Sequence, residues 1–328
     1  MDKQLLEYTG SLLLDSKFIV SPYGVGKFLP QGNIIPLQRP IIHNNAINKL
    51  TIDYSHANVL TIVNGMGVTL GDSVIGISAL HAIKCLNPSI SICVIRPEHC
   101  PDYVNDVYYL ASNVINDVYF MPYDISRIKD AELTIDMGNQ LYWDDFNVCE
   151  MHDFFIKNLG VNPDSVCSGI KSNSWLMEVD LEPLVFDDYV LLCPNASTKI
   201  RSIPSRFHHQ IVSELGRAYG MKVVGFVDVM HDNYTNVSSI SRNTTSYMSI
   251  IKHAKHVYTC DSSALHIAAG FNVPTTGIFT TIRPVFRSKY YKNCHSIYIG
   301  NRLTEGVHNS DDALLLKSIN KEFEEFYA

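Results

Sequence analysis

The sequence predicts an α/β protein made of two doubly wound domains. Three observations carry that reading. From about residue 59 onward, apolar strand-like runs alternate with helical patterns, and the alternation occurs twice over. Several of those runs (LTIV, ISICVI, YVLLC, KVVGFV) are apolar at successive positions and not at every second one. Strands of that kind are buried on both faces, as parallel sheets between two helix layers require. The chain also has 328 residues, 46% hydrophobic and 18% charged, enough for two separate cores.

Residues 1–57 stand apart. The segment YGVGKFLPQGNIIPLQRPIIHNN is rich in Gly, Pro and Asn with short β-like pieces, and predicts an irregular N-terminal extension packed on the first domain. The first domain, 58–175, carries strands at Val59–Asn64, Ile90–Arg96, Asp117–Met121 and Glu132–Met137. Helical patterns lie between and after them at Ser73–Leu86, Tyr103–Val114 and Asp145–Leu159. Periodicity weakens between Gly160 and Asp188, which sets the boundary. The second domain, 176–328, carries strands at Tyr189–Asn195, Lys222–Asp228, Val257–Cys260, Thr276–Thr280 and Ser296–Ile299. Its helical patterns are Ser205–Tyr219, Tyr247–Ala254, Ala264–Phe271 and Asp311–Phe326.

A net charge of −7 and a mean hydropathy of +0.02 describe a globular chain with no overall attraction to nucleic acid or anionic membrane. No apolar run approaches the ~18 residues of a membrane span. The stretch MDKQLLEYTGSLLLDSK is too short and too interrupted for a signal peptide. The eight cysteines are scattered, with no CxxC pair, so they read as buried thiols in a reducing compartment and not as disulfides or a zinc cluster. The cytoplasm is the expected location, with peripheral residence at the inner membrane as its variant.

One stretch is the most informative. In HVYTCDSSALHIAAGFNVPTTGIFTTIRP, a β-branched and aromatic run ends on Asp261; Ser262 and Ser263 follow as helix N-caps, then the apolar helix Leu265–Phe271. Asn272 can close that helix, Pro274 blocks its continuation, and Thr275–Thr280 reads as the next strand. Such a helix mouth, with unpaired N–H groups and the positive end of the dipole, suits a phosphate. A capped buried helix of any α/β protein fits equally well. The first domain opens in a related way, with Gly65, Gly67 and Gly71 after a strand and Asp72 at a helix start. A dinucleotide-binding turn is one reading, with Glu98 as ribose acceptor. The spacing is GxGxxxG, however, and Arg96 stands beside Glu98. Asp72 is alternatively a working carboxylate or simply a helix N-cap.

Three pieces in order, LGDSVIGISALHAIKCLNPSISICVI, LLCPNASTKIRSIPSRFHHQIVSELGRAYGMKVVGF and CDSSALHIAAGFNVPTTGIFTTIRP, resemble glycosyltransferase family nine, the bacterial heptosyltransferases. That family has a GD motif at its first helix, a P-x-A-S…K-x-W-P segment opening its second domain, and D-[ST]-G-x-x-H before a helix and a Pro-containing strand. The resemblance spans about residues 59–300. It implies a GT-B fold of two Rossmann-like domains facing a cleft, with the last helix packing back on the first domain. It further implies an inverting, metal-independent transfer from a nucleotide sugar, typically an ADP-heptose. The acceptor would be a lipopolysaccharide core sugar, another glycan or a protein. No cofactor is implied beyond the nucleotide-sugar co-substrate.

Carried over by position, Asp72 matches the family's general base, which takes the acceptor's proton. Arg201 falls where the family's Lys binds the donor diphosphate, and a guanidinium can grip phosphate oxygens bidentately. Lys199 is a second candidate, and Ser197 and Thr198 match the hydroxyls lining the phosphate pocket. Asp261 matches the donor-side aspartate and His266 the helix histidine, for which a hydrogen-bonded core residue is the alternative. Ser262 and Ser263 form the helix mouth, and Asp228, after the Lys222–Val227 strand, is a candidate for the donor ribose. The chain departs from the family at Ser263 (Gly there), at Ile203 (Trp), and at Thr280 and Arg283, where the later G-x-T-x-P loop has lost its Gly and an acidic position. These departures bear on the donor more than on the fold.

The segment RPVFRSKYYKNCHSIYIGNR, from Arg283 to Arg302, holds five basic residues and no acidic one, interleaved with aromatics. Arg283, Arg287 and Lys289 are candidates for holding an anionic acceptor, phosphorylated glycan or lipid-linked sugar. A nucleic-acid strand is a further possibility, as in a phage-type DNA-modifying glycosyltransferase. A solvated loop with inward tyrosines is the bland alternative. Two other classes stay open: an NAD-dependent oxidoreductase using Gly65, Gly67 and Gly71, and a non-catalytic nucleotide-sugar or glycan-binding protein.

Overall fold

The computed structural model describes residues 3–28, 30–97, 99–185 and 187–328. Glu98, weighed above as a ribose acceptor, lies outside the described residues. The chain divides into two compact units, Met1–Lys171 and Ser172–Ala328.

The first unit begins with a short helix α1 (Lys3–Leu6) and strands β1 (Leu12–Leu14) and β2 (Phe18–Val20). Asp15 and Ser16, both at positive φ, turn the chain between these strands. Helix α2 (Pro22–Phe28), β3 (Ile34–Pro36) and β4 (Ile42–His43) follow. The extension is therefore less irregular than its composition predicts. β1 pairs antiparallel with both β2 and β3, and β4 becomes the edge strand of the main sheet. Leu13, Ile19 and Leu37 close over Val63 and Ile95 of that sheet, so apolar triplets between breakers are enough to recruit this segment to a core.

The main sheet contains β5 (Val59–Val63), β6 (Ser91–Arg96), β7 (Asp117–Phe120) and, after a two-residue strand β8 (Tyr123–Asp124) that joins β2, β9 (Leu133–Asp136). Its order is β4-β9-β5-β6-β7, all parallel. The connecting helices are α3 (Leu70–Leu86) and α4 (Asp102–Leu110), with α5 (Met151–Asn158) after β9. The helix expected over Asp145–Leu159 starts at Met151 because Glu150 caps it, its carboxylate accepting from the N–H groups of His152 and Asp153.

The second unit has β10 (Tyr189–Cys193), α6 (His208–Tyr219), β11 (Lys222–Gly225), β12 (Tyr234–Asn236), α7 (Thr244–Lys252), β13 (His256–Cys260), α8 (Ser263–Gly270), β14 (Thr275–Phe279), β15 (Cys294–Tyr298) and α9 (Ala313–Phe326). The six strands run parallel in the order β12-β11-β10-β13-β14-β15. Numbered within the unit this is 3-2-1-4-5-6, the doubly wound dinucleotide-fold order. β10 is buried throughout and faces both ways. Val190 and Leu192 join Ile211, Val212 and Leu215 of α6 and Ile319 and Phe323 of α9 in one core, each such buried chain contributing about 1.5–3 kcal/mol. Tyr189, on the alternate face, donates to the Ile250 carbonyl of α7 at 2.6 Å.

The strand expected over Lys222–Asp228 stops at Gly225, where a Cβ would strike the Leu192 carbonyl at 2.5 Å. Asn272 does close α8: it sits at φ +57°, and the next N–H, of Val273, returns to the Ala268 carbonyl at 2.9 Å. Among the described residues, no helix is long and apolar enough to cross a membrane.

Candidate functional site

In an open parallel sheet a ligand binds beyond the carboxyl ends of the strands, where the strand order reverses. In the second unit that point lies between β10 and β13. Two loops leave it. One runs from Pro194 into a 3-10 turn at Lys199–Arg201, and the other carries Asp261 and Ser262 into α8.

Arg201 joins the two loops. One terminal nitrogen lies 3.3 Å from Asp261 Oδ2 and 3.4 Å from its carbonyl oxygen. The other donates to Ser197 Oγ at 2.6 Å, and Nε donates to Thr198 Oγ1 at 3.2 Å. At most four of its five N–H groups are thereby used. Thr198 passes the connection on, donating to the His308 carbonyl at 3.0 Å. Ile200 anchors the turn: its side chain is buried in the core and its carbonyl accepts from Thr280 Oγ1 at 2.7 Å. Thr280, the departure from a family glycine, thus braces the loop with its hydroxyl.

Asp261 is 3% exposed. Burial pushes its carboxyl up, but Arg201, then Arg287 and His266, outweigh that and hold it below the ordinary carboxylate value. Cys260 beside it is sealed in, and burial raises its thiol to about 12, so it is no nucleophile at neutral pH. Ser262 occupies the N-cap position of α8, but its side chain caps nothing; its Oγ lies 3.2 Å from Thr259 Oγ1. Ser263 Oγ is 3.5 Å from the Tyr247 hydroxyl. His266 is buried, with Nδ1 2.7 Å from the Tyr291 hydroxyl, and acts on the charge of Asp261.

Other candidates fall elsewhere. Lys199 projects outward on its turn, 3.9 Å from an equally exposed Asp311. Asp228, on the same carboxyl edge as β11, is exposed and accepts from Asn236 at 2.6 Å. The basic segment does not form one surface. Arg283 is exposed and paired through two contacts with Glu305, which lies just past the segment. Lys289 is exposed over the Tyr290 ring. Arg287 is 8% exposed, and its charge acts on Asp261. His308, which no motif announces, belongs to the same cluster. Burial, Arg287 and Arg201 lower its imidazole below the ordinary value, against the pull of Asp261. A cavity of about 640 Å³ opens on the Asn195–Ser202 loop towards Leu316 and Asn320 of α9; it shares Ser197 and Thr198 with the site but not Arg201 or Asp261.

In the first unit the strand order reverses between β5 and β9, and the Asn64–Thr69 loop leaves β5 there. The N-cap of α3 is Thr69, whose hydroxyl accepts from the Asp72 N–H at 3.3 Å and donates to Asp72 Oδ2 at 2.8 Å. Asp72 is therefore not the cap; it sits one turn in, half-buried, with its carboxylate oriented by Thr69. Arg96, fully buried at the end of β6, fixes the loop. One nitrogen donates to the carbonyls of Gly65 and Gly67 at 2.7 and 2.9 Å, Nε donates to Asn105 at 3.1 Å, and the guanidinium lies 3.9 Å over the Tyr108 ring. Gly67, at φ +91°, has no room for a Cβ, which would lie 2.7 Å from that of Asp72. Gly67 thus serves a close turn against Asp72, while Gly65 packs against Val94 and Ile62.

Two Rossmann-like units of this construction make up the GT-B class of fold, and one solved structure supports it. The glycosyl transferase family 9 structure from Veillonella parvula superposes with a TM-score of 0.50 at 12% identity, covering 85% of this chain and 99% of that one. Two Escherichia coli structures align over similar spans. They are ADP-heptose lps heptosyltransferase II (14% identity, 83% and 100% covered, TM-score 0.47) and heptosyltransferase WaaC with ADP (13% identity, 82% and 100% covered, TM-score 0.44). No protein-family model and no curated protein sequence matches the chain.

Proposed function

We propose that this protein is an inverting, metal-independent glycosyltransferase using a nucleotide-sugar donor. The observation that carries the reading is the Arg201–Asp261–Ser197 constellation at the strand reversal of a dinucleotide-type sheet. A guanidinium held there, beside the mouth of α8, suits a diphosphate leaving group. Asp261 would hold Arg201 in place and accept from sugar hydroxyls, with Ser262 and Ser263 at the phosphate and Asp228 at the ribose. The second unit is then the donor domain and the first the acceptor domain.

In the reaction, an acceptor oxygen attacks the anomeric carbon as the bond to the diphosphate breaks. Asp72 would take the acceptor's proton, and the electron pair leaves on the diphosphate, stabilised by Arg201. The sequence resemblance supports a heptose or related sugar on ADP, and a glycan, lipopolysaccharide core or protein acceptor. A nucleotide-sugar donor and the free cysteines both favour the cytoplasm. The test is a thermal-shift panel of nucleotide sugars, in which a ligand at 100 times its Kd adds about 2.7 kcal/mol of stability. A panel of ADP-, UDP-, GDP- and CMP-sugars that leaves the melting temperature unmoved would sink the donor site. Binding with no product from any acceptor would instead favour a non-catalytic binding protein.

A further inference from the structure

Arg201 is largely committed to Asp261, Ser197 and Thr198. A diphosphate carries more charge than its one remaining N–H can answer. The structure offers two further groups in the same place. Arg287 is 8% exposed, yet its guanidinium makes one hydrogen bond among the described residues, from a terminal nitrogen to the Phe286 carbonyl at 2.9 Å. Its other nitrogens are not sealed away from solvent, so a nearly buried guanidinium keeps unused donors. His308 has its backbone tied to Thr198, but its half-buried imidazole has no hydrogen-bond partner among the described residues. The charged groups acting on His308 are Arg287, Asp261 and Arg201; the Lys199–Asp311 pair nearby faces outward. Two guanidiniums against one carboxylate leave the cluster with net positive charge. A buried charge of that kind is costly unless a counter-ion completes it.

We infer that Arg287 and His308 form, with Arg201, an anion subsite for the donor diphosphate, and that His308 takes up a proton when the anion binds. The inference rests on the donor-site reading and adds to it which residues complete the clamp. The physical cause is direct. Two guanidiniums and burial hold the imidazole below its ordinary value; a diphosphate bound beside them would cancel those charges and favour the imidazolium. Affinity must then rise as pH falls towards the imidazole range, because the protonated form binds the anion more tightly.

The test is calorimetric titration of the full chain with ADP, UDP and inorganic pyrophosphate between about pH 6 and pH 8, in two buffers of different ionisation heat. The phosphate's own titration is common to every variant, so the readout is the difference from wild type. Wild type should take up a fraction of a proton that His308→Gln does not, with His308→Gln still binding at the higher pH. Arg287→Gln should bind about ten- to a hundredfold more weakly, as loss of a charge-assisted contact implies, and Arg287→Lys should recover part of that. If Arg287→Gln fails to fold, the His308→Gln difference and Arg287→Lys decide the matter. Equal affinity in the Arg287 variants, with equal proton uptake in His308→Gln, overturns the subsite and leaves the donor site standing. No binding of any of the three probes to wild type sinks both.

Discussion

Arg201 and Asp261 meet where the strand order of the second sheet turns back, a guanidinium from the loop after β10 set 3.3 Å from a carboxylate at the end of β13. The carboxylate is almost wholly buried and the guanidinium about a quarter exposed. The pair thus fastens two loops together, and in the proposed function it also serves as a preformed anion cradle.

Removing Arg201 should weaken both roles. Arg201→Ala is expected to bind nucleoside diphosphate less tightly by about 1.5–3 kcal/mol, the scale of a hydrogen bond to a charged group. It should also melt lower, since Asp261 keeps only the more distant help of Arg287 and His266. Arg201→Lys restores the charge but not the fork that reaches Ser197, Thr198 and Asp261 together, and should fall between. Titration of ADP and UDP into the three proteins checks the order; wild-type affinity in both variants would remove Arg201 from the donor site.

The same pair predicts an acid limb. Asp261 titrates below its ordinary value in the fold, so the carboxylate's contribution to stability is fully present above the unfolded pKa, about 3.9 for an aspartate. It is lost as pH falls through the lower, folded value. The melting-temperature gap between wild type and Asp261→Asn should hold steady from about pH 7 to pH 5 and close below about pH 4. A gap that widens in acid would contradict the assigned direction.

How much of this was legible in the sequence depends on how local the signal is. β10 announced itself because every position in YVLLC is buried, and α8 because Asn272 and Pro274 stop it within three residues. β12, with the three residues Tyr234–Asn236, carries no apolar pattern and takes its place only by pairing with β11. The basic segment misled because neighbours in a loop need not share a face: Arg283 pairs with Glu305 at the surface while Arg287 is buried and acts on Asp261. His308 had no local signal at all, since only the return of the chain after β15 brings it to Thr198. Arg96, which in the sequence merely blurred a ribose motif, proves to be the clamp on the glycine loop.

That clamp is testable by itself. Arg96→Met keeps an apolar stem over Tyr108 but leaves the Gly67 carbonyl without this donor and the Gly65 carbonyl with only the Tyr108 hydroxyl, at 3.3 Å. Each buried group left unsatisfied costs about 1–3 kcal/mol, so the urea midpoint should drop clearly, with Arg96→Lys intermediate. If Arg96→Met is as stable as wild type, the loop is held by other means, such as Asn64 donating to the Gly138 carbonyl.

Transfer should also survive chelation. In the proposed mechanism the donor phosphates would meet Arg201, Arg287 and the mouth of α8, which would do the work of a divalent cation electrostatically. Turnover in EDTA is expected to match that in untreated buffer. Complete loss, restored by Mg²⁺ or Mn²⁺, would count against the proposed mechanism.

Asp72→Asn separates catalyst from scaffold. Thr69, not Asp72, caps α3, so the substitution leaves the cap in place. An Asn carbonyl can still accept from the Thr69 hydroxyl that now donates to Asp72 Oδ2. The lost negative charge in the first turn of the helix should cost only about 0.3–1 kcal/mol. Folding and donor affinity are therefore expected to change little. The amide cannot take a proton from an acceptor hydroxyl, however, and turnover should fall by about 10²–10⁴, the usual contribution of a positioned acid–base group. Thr69→Val supplies the contrast: it removes the cap and the hydroxyl that orients the carboxylate but keeps the carboxylate itself. It should lower the melting temperature more than Asp72→Asn and the rate less. Measuring kcat beside the melting temperature for both variants gives opposite orderings if Asp72 is the base. If Asp72→Asn turns over at the wild-type rate, the base must be another group.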